Sequence, residues 1–361
     1  MMRHKKLLLP ASLLATIFSG CEQDNIKPLI TDYSRGIYIV NEGSFQSNNG
    51  SISHFDSFTG SITNGIFEAA NGRAVGDVVQ SFAIVGDTTG YIVVNGSAKL
   101  EIVSLKSFEC IAEPIPVTYP RYFLPVNDET GYLTGGSMQG YVYLIDLKAY
   151  EVSDSIRVGY GPENMAMVNG LVYVVNSGGW SADSTISVID VTDHTVTDTI
   201  RVGKVPADIA IDASHNLWVY CKGQAVYNWE PPYNLISETE AMLQKIEPAS
   251  GNILWQGKAG MAGDYTASTP RIAVSPDGGN IFYLRPEGVY KMDAANPAIP
   301  GSPVISGNYY GLDINPADGN IFVFEASFTG NGMMKIFDEN GNPVTEGAVG
   351  IAPNGAVFHN D

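Results

Sequence analysis

The feature that most constrains this chain is a unit of four short strands that returns seven times. It is clearest in residues 162–202, PENMAMVNGLVYVVNSGGWSADSTISVIDVTDHTVTDTIRV, where four runs (165–168, 171–176, 185–190 and 195–202) are rich in Val, Ile, Thr and Tyr and are separated by turn residues. Such side chains suit a pleated, half-buried surface, and no helical period competes with them. In the fourth run Val196, Ile200 and Val202 alternate with Thr195, Thr197, Thr199 and Arg201, which predicts one wet face and an outermost strand.

The second run of the unit recurs along the chain, ending at Asn41, Asn95, Gly136, Asn176, Cys221, Arg285 and Glu325. Three residues before each end stands a large apolar residue: Tyr38, Ile92, Leu133, Tyr173, Trp218, Phe282 or Phe322. The third run closes on Asp56, Ser104, Asp146, Asp190, Glu247, Asp293 and Asp338, at spacings of mostly 40 to 48 residues. Four strands repeating at this period mark a β-propeller blade. The expected fold is therefore all-β, a seven-bladed propeller of four-stranded antiparallel blades over residues 36–361. The first copy starts at Gly36 without a first strand, while residues 353–359 read as a first strand with nothing after it. The C-terminal strand should complete the first blade and leave no open edge. A solenoid would need terminal caps, for which no segment is evident.

Acidic residues outnumber basic ones 38 to 20, giving a net charge of −18, which argues against nucleic acid as a partner. Residues 1–20 combine a basic start (Arg3, Lys5, Lys6) with the apolar run LLLPASLLATIF and the small residues Ser19 and Gly20 before Cys21. This is a secretory leader too short to span a membrane. Its end resembles a bacterial lipoprotein signal, with Phe18 a less usual residue; the resemblance implies that Cys21 is lipidated. The alternative is a plain cleaved signal with an incidental cysteine. Loss of the leader removes three basic residues, so the mature chain carries 38 acidic against 17 basic, or −21. Residues 21–35, polar and without periodicity, are expected to form a flexible tether, and Glu22 and Asp24 resemble surface-export signals of Bacteroidetes lipoproteins. Cys110 and Cys221 fall in different repeats and are expected to be unlinked, buried thiols.

In a propeller, the loops between strands one and two and between three and four share one face. Here they are short Gly, Asp and Asn turns such as NDETG and PDGGN. Connections on the other face are long and aromatic: EGSFQSNNG in blade one, SGGWSADS in blade four, ASFTGNG in blade seven, and the insertion KGQAVYNWEPPYNLISETE in blade five. Variable loops on a rigid scaffold usually carry binding. The predicted ligand rim holds exposed Phe45, Trp180, Tyr227, Trp229, Tyr233, Tyr265, Tyr309, Tyr310 and Phe328, with Asn48 and Asn95 as amide partners. Some of these rings are expected to plug loop bases instead. Arg73, Asp77, Arg121, Asp264 and Arg271 lie between blades, where they either converge on a central mouth or form structural ion pairs; Arg121 is counted with the ligand residues. His54, His194, His215 and His359 are scattered without metal-ligand spacing, and no nucleophile or metalloprotease motif is present. No catalytic or metal residue and no cofactor is assigned, and a binder is expected over an enzyme.

The units VYLIDLKAYEVSDSIRVGYGPENMAM and VIDVTDHTVTDTIRVGKVPADIAID resemble the YncE-like, surface-layer-type seven-bladed propellers over nearly all of residues 36–361. The opening IYIVNEGSFQSNNGSISHFDSFTG, followed by ANGRAVGDVVQS, is similar to the Bacteroidetes lipoprotein branch of that group, which includes the BtuG-type cobalamin-binding proteins. The resemblance implies an outer-membrane, lipid-anchored and surface-exposed protein. It would bind cobalamin or another corrinoid and pass it to a TonB-dependent transporter. A glycan-binding propeller and a lactonase-like propeller enzyme are the alternatives.

Overall fold

The computed structural model of the protein describes residues 32–136, 138–265 and 270–359. The leader, Cys21 and residues 21–31 of the expected tether lie outside the described residues. Residues 32–359 contain seven four-stranded antiparallel sheets and one added two-stranded hairpin. Blade four shows the plan, with Pro162–Val168, Leu171–Asn176, Thr185–Asp190 and Thr195–Arg201 side by side in chain order. The first strands of successive blades touch in a closed cycle, from Pro353–His359 through Val79–Val85, Pro120–Pro125, Pro162–Val168, Pro206–Ile211, Ile272–Val274 and Gly311–Ile314 back to the start. They line the axis, and the fourth strands lie outside.

Second strands are apolar on both faces because each face serves a different neighbour. Ile37 and Ile39 pack against blade seven, while Tyr38 and Val40 pack against blade two. The core is accordingly seven clusters, one between each pair of adjacent blades. The large residue of the second-strand signature faces the following blade at Tyr38, Tyr173, Trp218, Phe282 and Phe322. In blades two and three the strands end at Val94 and Gly135, one residue earlier than expected. The true equivalents there are Tyr91 and Tyr132, because a one-residue shift moves a side chain to the opposite face of a pleated strand.

Third strands close on aspartate for a local reason. The carboxylates of Asp56, Asp146, Asp190, Asp293 and Asp338 accept backbone N–H groups two residues on, from Phe58, Lys148, Thr192, Ala295 and Asn340. Each is a side-chain mimic of a turn hydrogen bond, which starts the hairpin to the fourth strand. In blade four the fourth strand is wet as expected, with Ile200 its one buried residue. Val196 does not share the face of Ile200, however. A bulge between Val188 and Ile189 pairs Val196 with Ile189, on the other side of the sheet, and leaves it 38% exposed.

Ring closure follows the expected route. Pro353–His359 pairs with Gly36–Asn41, Ile37 opposite Phe358 and Ile39 opposite Ala356, and completes blade one. Packing onto the blades begins before Gly36, within the last residues of the expected tether. Tyr33 is buried among His54 and Phe108, its N–H donates to the Lys106 carbonyl at 3.0 Å, and its carbonyl accepts the Tyr38 hydroxyl. An aromatic ring with an apolar slot between two blades outweighs the polar composition around it. A six-residue helix, Ile66–Asn71, fills the step from blade one to blade two and buries Ile66 and Phe67; sequence periodicity over so short a stretch gives no signal for it.

Candidate functional site

The long connections gather three hollows on one face. The largest, about 720 Å³, is built by the insertion of blade five. After the second strand Leu217–Cys221 the chain turns through Gly223 and makes a hairpin, Ala225–Tyr227 against Leu235–Glu238. Its base is tied down by Ala262 N–H to the Thr239 carbonyl (3.0 Å) and Gly263 N–H to the Glu238 carboxylate (2.8 Å). The hairpin raises Tyr227, Trp229 and Tyr233 into solvent, with Trp229 94% exposed. Trp180 closes the opposite side, on a loop held by Ser177 N–H to the Gly161 carbonyl and Gly178 N–H to the Tyr160 carbonyl. Gly161 takes φ 55° there, and a Cβ would stand 2.0 Å from the Gly179 nitrogen, so glycine is required for the loop to sit down on the blade.

Trp180 also borders a second hollow of about 360 Å³, where Phe45, Asn95, Tyr119 and the Arg121–Glu163 ion pair meet. A third, about 160 Å³, lies between Tyr309, Tyr310 and Phe328. The sequence-predicted residues thus divide. Trp180, Tyr227, Trp229, Tyr233 and Tyr265 share the largest hollow; Phe45, Asn95, Arg121 and Trp180 share the second; Tyr309 and Phe328 line the third. Asn48 is exposed and lines none of them; its backbone N–H faces the Asp77 carboxylate at 3.4 Å, within a loop braced from the next blade. Two rings expected to be exposed are buried. Tyr265 is 1% exposed, its hydroxyl bonded to the Tyr220 hydroxyl (2.6 Å) and the Ala259 carbonyl (2.8 Å), and it forms the floor of the largest hollow. Tyr309 is 4% exposed and donates to the Ser306 carbonyl. Both fill a gap under a loop, and a hydroxyl that finds a local acceptor lets the ring be buried.

From residue 35 to residue 359 the sequence matches a family described as a domain of unknown function, DUF5074. The chain belongs to the DUF5074 family. No curated protein sequence matches it. Among solved structures, the DUF5074 chain is similar to a quinonprotein alcohol dehydrogenase-like protein from Bacteroides thetaiotaomicron (15% identity, 91% of this chain and 79% of that one, TM-score 0.66). It is also similar to a functionally unknown protein from Desulfotomaculum acetoxidans (15%, 91% and 100%, TM-score 0.62) and to the periplasmic gluconolactonase of Pseudomonas aeruginosa (12%, 90% and 99%, TM-score 0.62). At these identities the likeness establishes the propeller fold.

Beneath the second hollow, the axis of the DUF5074 propeller holds a cavity of about 200 Å³ bounded by polar side chains of the first strands. Arg121 bonds Glu163 (2.8 Å) and Gln80; Asn164 bonds Asp208 (2.7 Å); Asp208 accepts the Ile272 N–H (3.1 Å); Asp313 accepts the Ala356 N–H (2.7 Å); and Asn354 reaches Glu42 (2.8 Å). Arg271, from blade six, crosses to the Tyr122 hydroxyl of blade three at 2.7 Å. Burial raises the pKa of Asp313 to about 7 and that of Asp208 in the same direction, with Arg271 opposing both. Of the charged residues placed between blades by sequence, Arg121 and Arg271 reach the axis. Arg73 instead grips Glu101, Asp77 braces the blade-one loop, and Asp264 caps its own turn. Sequence reasoning passes over Gln80, Tyr122, Glu163, Asn164, Asp208, Asp313 and Asn354. A signal was present: Pro120, Pro162, Pro206, Pro270 and Pro353 each precede an axial polar residue by one or two positions.

Among the described residues no group of His, Cys, Asp and Glu is arranged to hold a metal ion. His54 and His194 bond the Arg35 carbonyl (2.7 Å) and the Tyr132 hydroxyl (2.6 Å). Cys221 is buried and Cys110 half-buried, and both are free thiols.

Proposed function

We propose that this protein is a lipid-anchored binding protein of the outer membrane, exposed at the cell surface. Its rim takes up cobalamin or another corrinoid and passes it to a TonB-dependent transporter, and the protein acts as a binder without a catalytic cofactor of its own. The observation that carries this reading is the pair of hollows meeting at Trp180. One is walled by Tyr227, Trp229 and Tyr233 and the other by Phe45 and Tyr119, with Asn95 and Asn228 at their edges. A corrinoid is broad, with apolar ring faces fringed by amide arms. Adjoining aromatic walls suit the faces, and asparagine side chains suit the arms. Exposed rings of this size are costly on a surface with nothing to cover them. The axial carboxylates support binding over catalysis, since Asp208 and Asp313 are each engaged by backbone or amide donors.

The YncE-like resemblance of the middle blades and the likeness of the opening blade to the lipoprotein branch that includes the BtuG-type proteins point the same way, and the leader motif ending at Cys21 supplies the anchor. The test is an absorption titration of the purified protein with cyanocobalamin. A saturable, one-to-one spectral change is expected. An unchanged spectrum, together with retention on a polysaccharide column, would replace the corrinoid with a glycan.

A further inference from the structure

We propose that Lys222 makes the largest rim hollow a receptor for an anionic group, so that its ligand joins a flat apolar surface to one negative charge placed against this lysine. The proposal rests on the binding role assigned above and gives that site a charge preference.

Lys222 directly follows the second strand of blade five, and its backbone N–H is fixed to the Val205 carbonyl at 2.8 Å. The side chain is half-buried and lines the hollow, where it is the one charged residue among the lining side chains. The other half-buried lysines among the described residues all have a carboxylate: Lys99 has Glu101 at 2.6 Å, Lys245 has Asp212 at 3.0 Å, Lys335 has Glu325 at 2.7 Å and Lys291 has Glu339 at 3.9 Å. Among the described residues the ammonium of Lys222 has neither an ion pair nor a hydrogen bond. Its pKa is lowered by burial alone, with no neighbouring charge acting on it. Desolvating a cation without a counterion is unfavourable, and an incoming anion would relieve that cost. On a chain of net charge −18, anions are repelled over most of the surface, so an unneutralised ammonium inside an aromatic cleft is a selective point of entry. For a corrinoid the matching group is the phosphodiester of the nucleotide loop, with the ring system lying against Trp180 or Trp229.

Two probe pairs test this. The first is 8-anilinonaphthalene-1-sulfonate against uncharged N-phenyl-1-naphthylamine, which share a ring system and differ in the anion. The parent should favour the sulfonate by roughly tenfold or more, the worth of a hydrogen bond to a charged group. Lys222→Met should erase that preference and Lys222→Arg should keep it, each with the parental melting curve. A Lys222→Met protein with the parental ratio overturns the proposal. The second pair is cyanocobalamin against dicyanocobinamide, which lacks the phosphodiester. Lys222→Met should weaken the first and spare the second, and equal loss on both overturns the placement of the anion. A parent that binds neither corrinoid yet keeps a Lys222-dependent preference for the sulfonate upholds the anion receptor and removes the corrinoid reading alone.

Discussion

Trp180→Ala is the most direct probe of the rim. Trp180 is 78% exposed and lines both of the two larger hollows, so a flat ligand that bridges them lies against it. A tryptophan presents up to ~250 Å², which leaves about 190 Å² open at this exposure, and a ligand on one face would cover roughly half. At ~25 cal/mol per Å² that contact contributes about 2.4 kcal/mol, or about fiftyfold in affinity. The fold should not notice the change, because the indole makes no hydrogen bond or ring contact among the described residues; a shift within about 0.5 kcal/mol is expected for such a surface position. The assay is a paired measurement of cyanocobalamin affinity and thermal melting for parent and variant. A variant that melts like the parent and binds within about threefold of it would take the ligand off this wall and refute the geometric argument.

Deleting residues 353–361 should abolish cooperative melting, since it removes the inner strand of blade one together with Asn354, which holds Glu42, and the Ala356 N–H that satisfies Asp313; a parental calorimetric transition would show that the ring closes without it. Asp313 gives a pH signature. Its folded pKa of about 7 lies above its ordinary 3.8, so the stability that this group contributes is full below pH ~4 and is lost as the pH rises through ~7. Asp313→Asn keeps an acceptor for Ala356 and has no proton to lose, so its melting temperature relative to the parent should climb between pH 4 and 8, and parallel curves would assign the titration elsewhere. Cys21→Ala should release the protein from membranes into the soluble fraction; retention of the variant with washed outer membranes would contradict the lipid anchor.

Much of the architecture could be read from residues because the propeller repeats its constraints. A second strand must be apolar on both faces, as Ile37 to Val40 are, and a third strand must end in a turn, as Asp190 does; seven occurrences average out local noise. The parity of blades two and three was lost because Tyr91 and Ile92, and likewise Tyr132 and Leu133, are both large and apolar, so composition does not say which faces the next blade. The rim was legible as a set of long aromatic loops. Which rings are covered was not, since the burial of Tyr265 depends on a hydroxyl partner, Tyr220, that lies 45 residues away in sequence. The axial network was the least legible. Its members are spread over all seven blades, and contacts such as Arg271 to Tyr122 join strands 149 residues apart.

The pairing of Pro353–His359 with Gly36–Asn41 also orders events in time. Synthesis proceeds from the N-terminus, so blade one waits with an open inner edge while six other blades emerge. Until then the polar side chains around the axis lack Asn354, and the cavity that they bound has one wall missing. For nearly the whole of its synthesis the chain is therefore an unclosed ribbon with an unpaired strand edge, and closure of the ring waits on the arrival of a single strand.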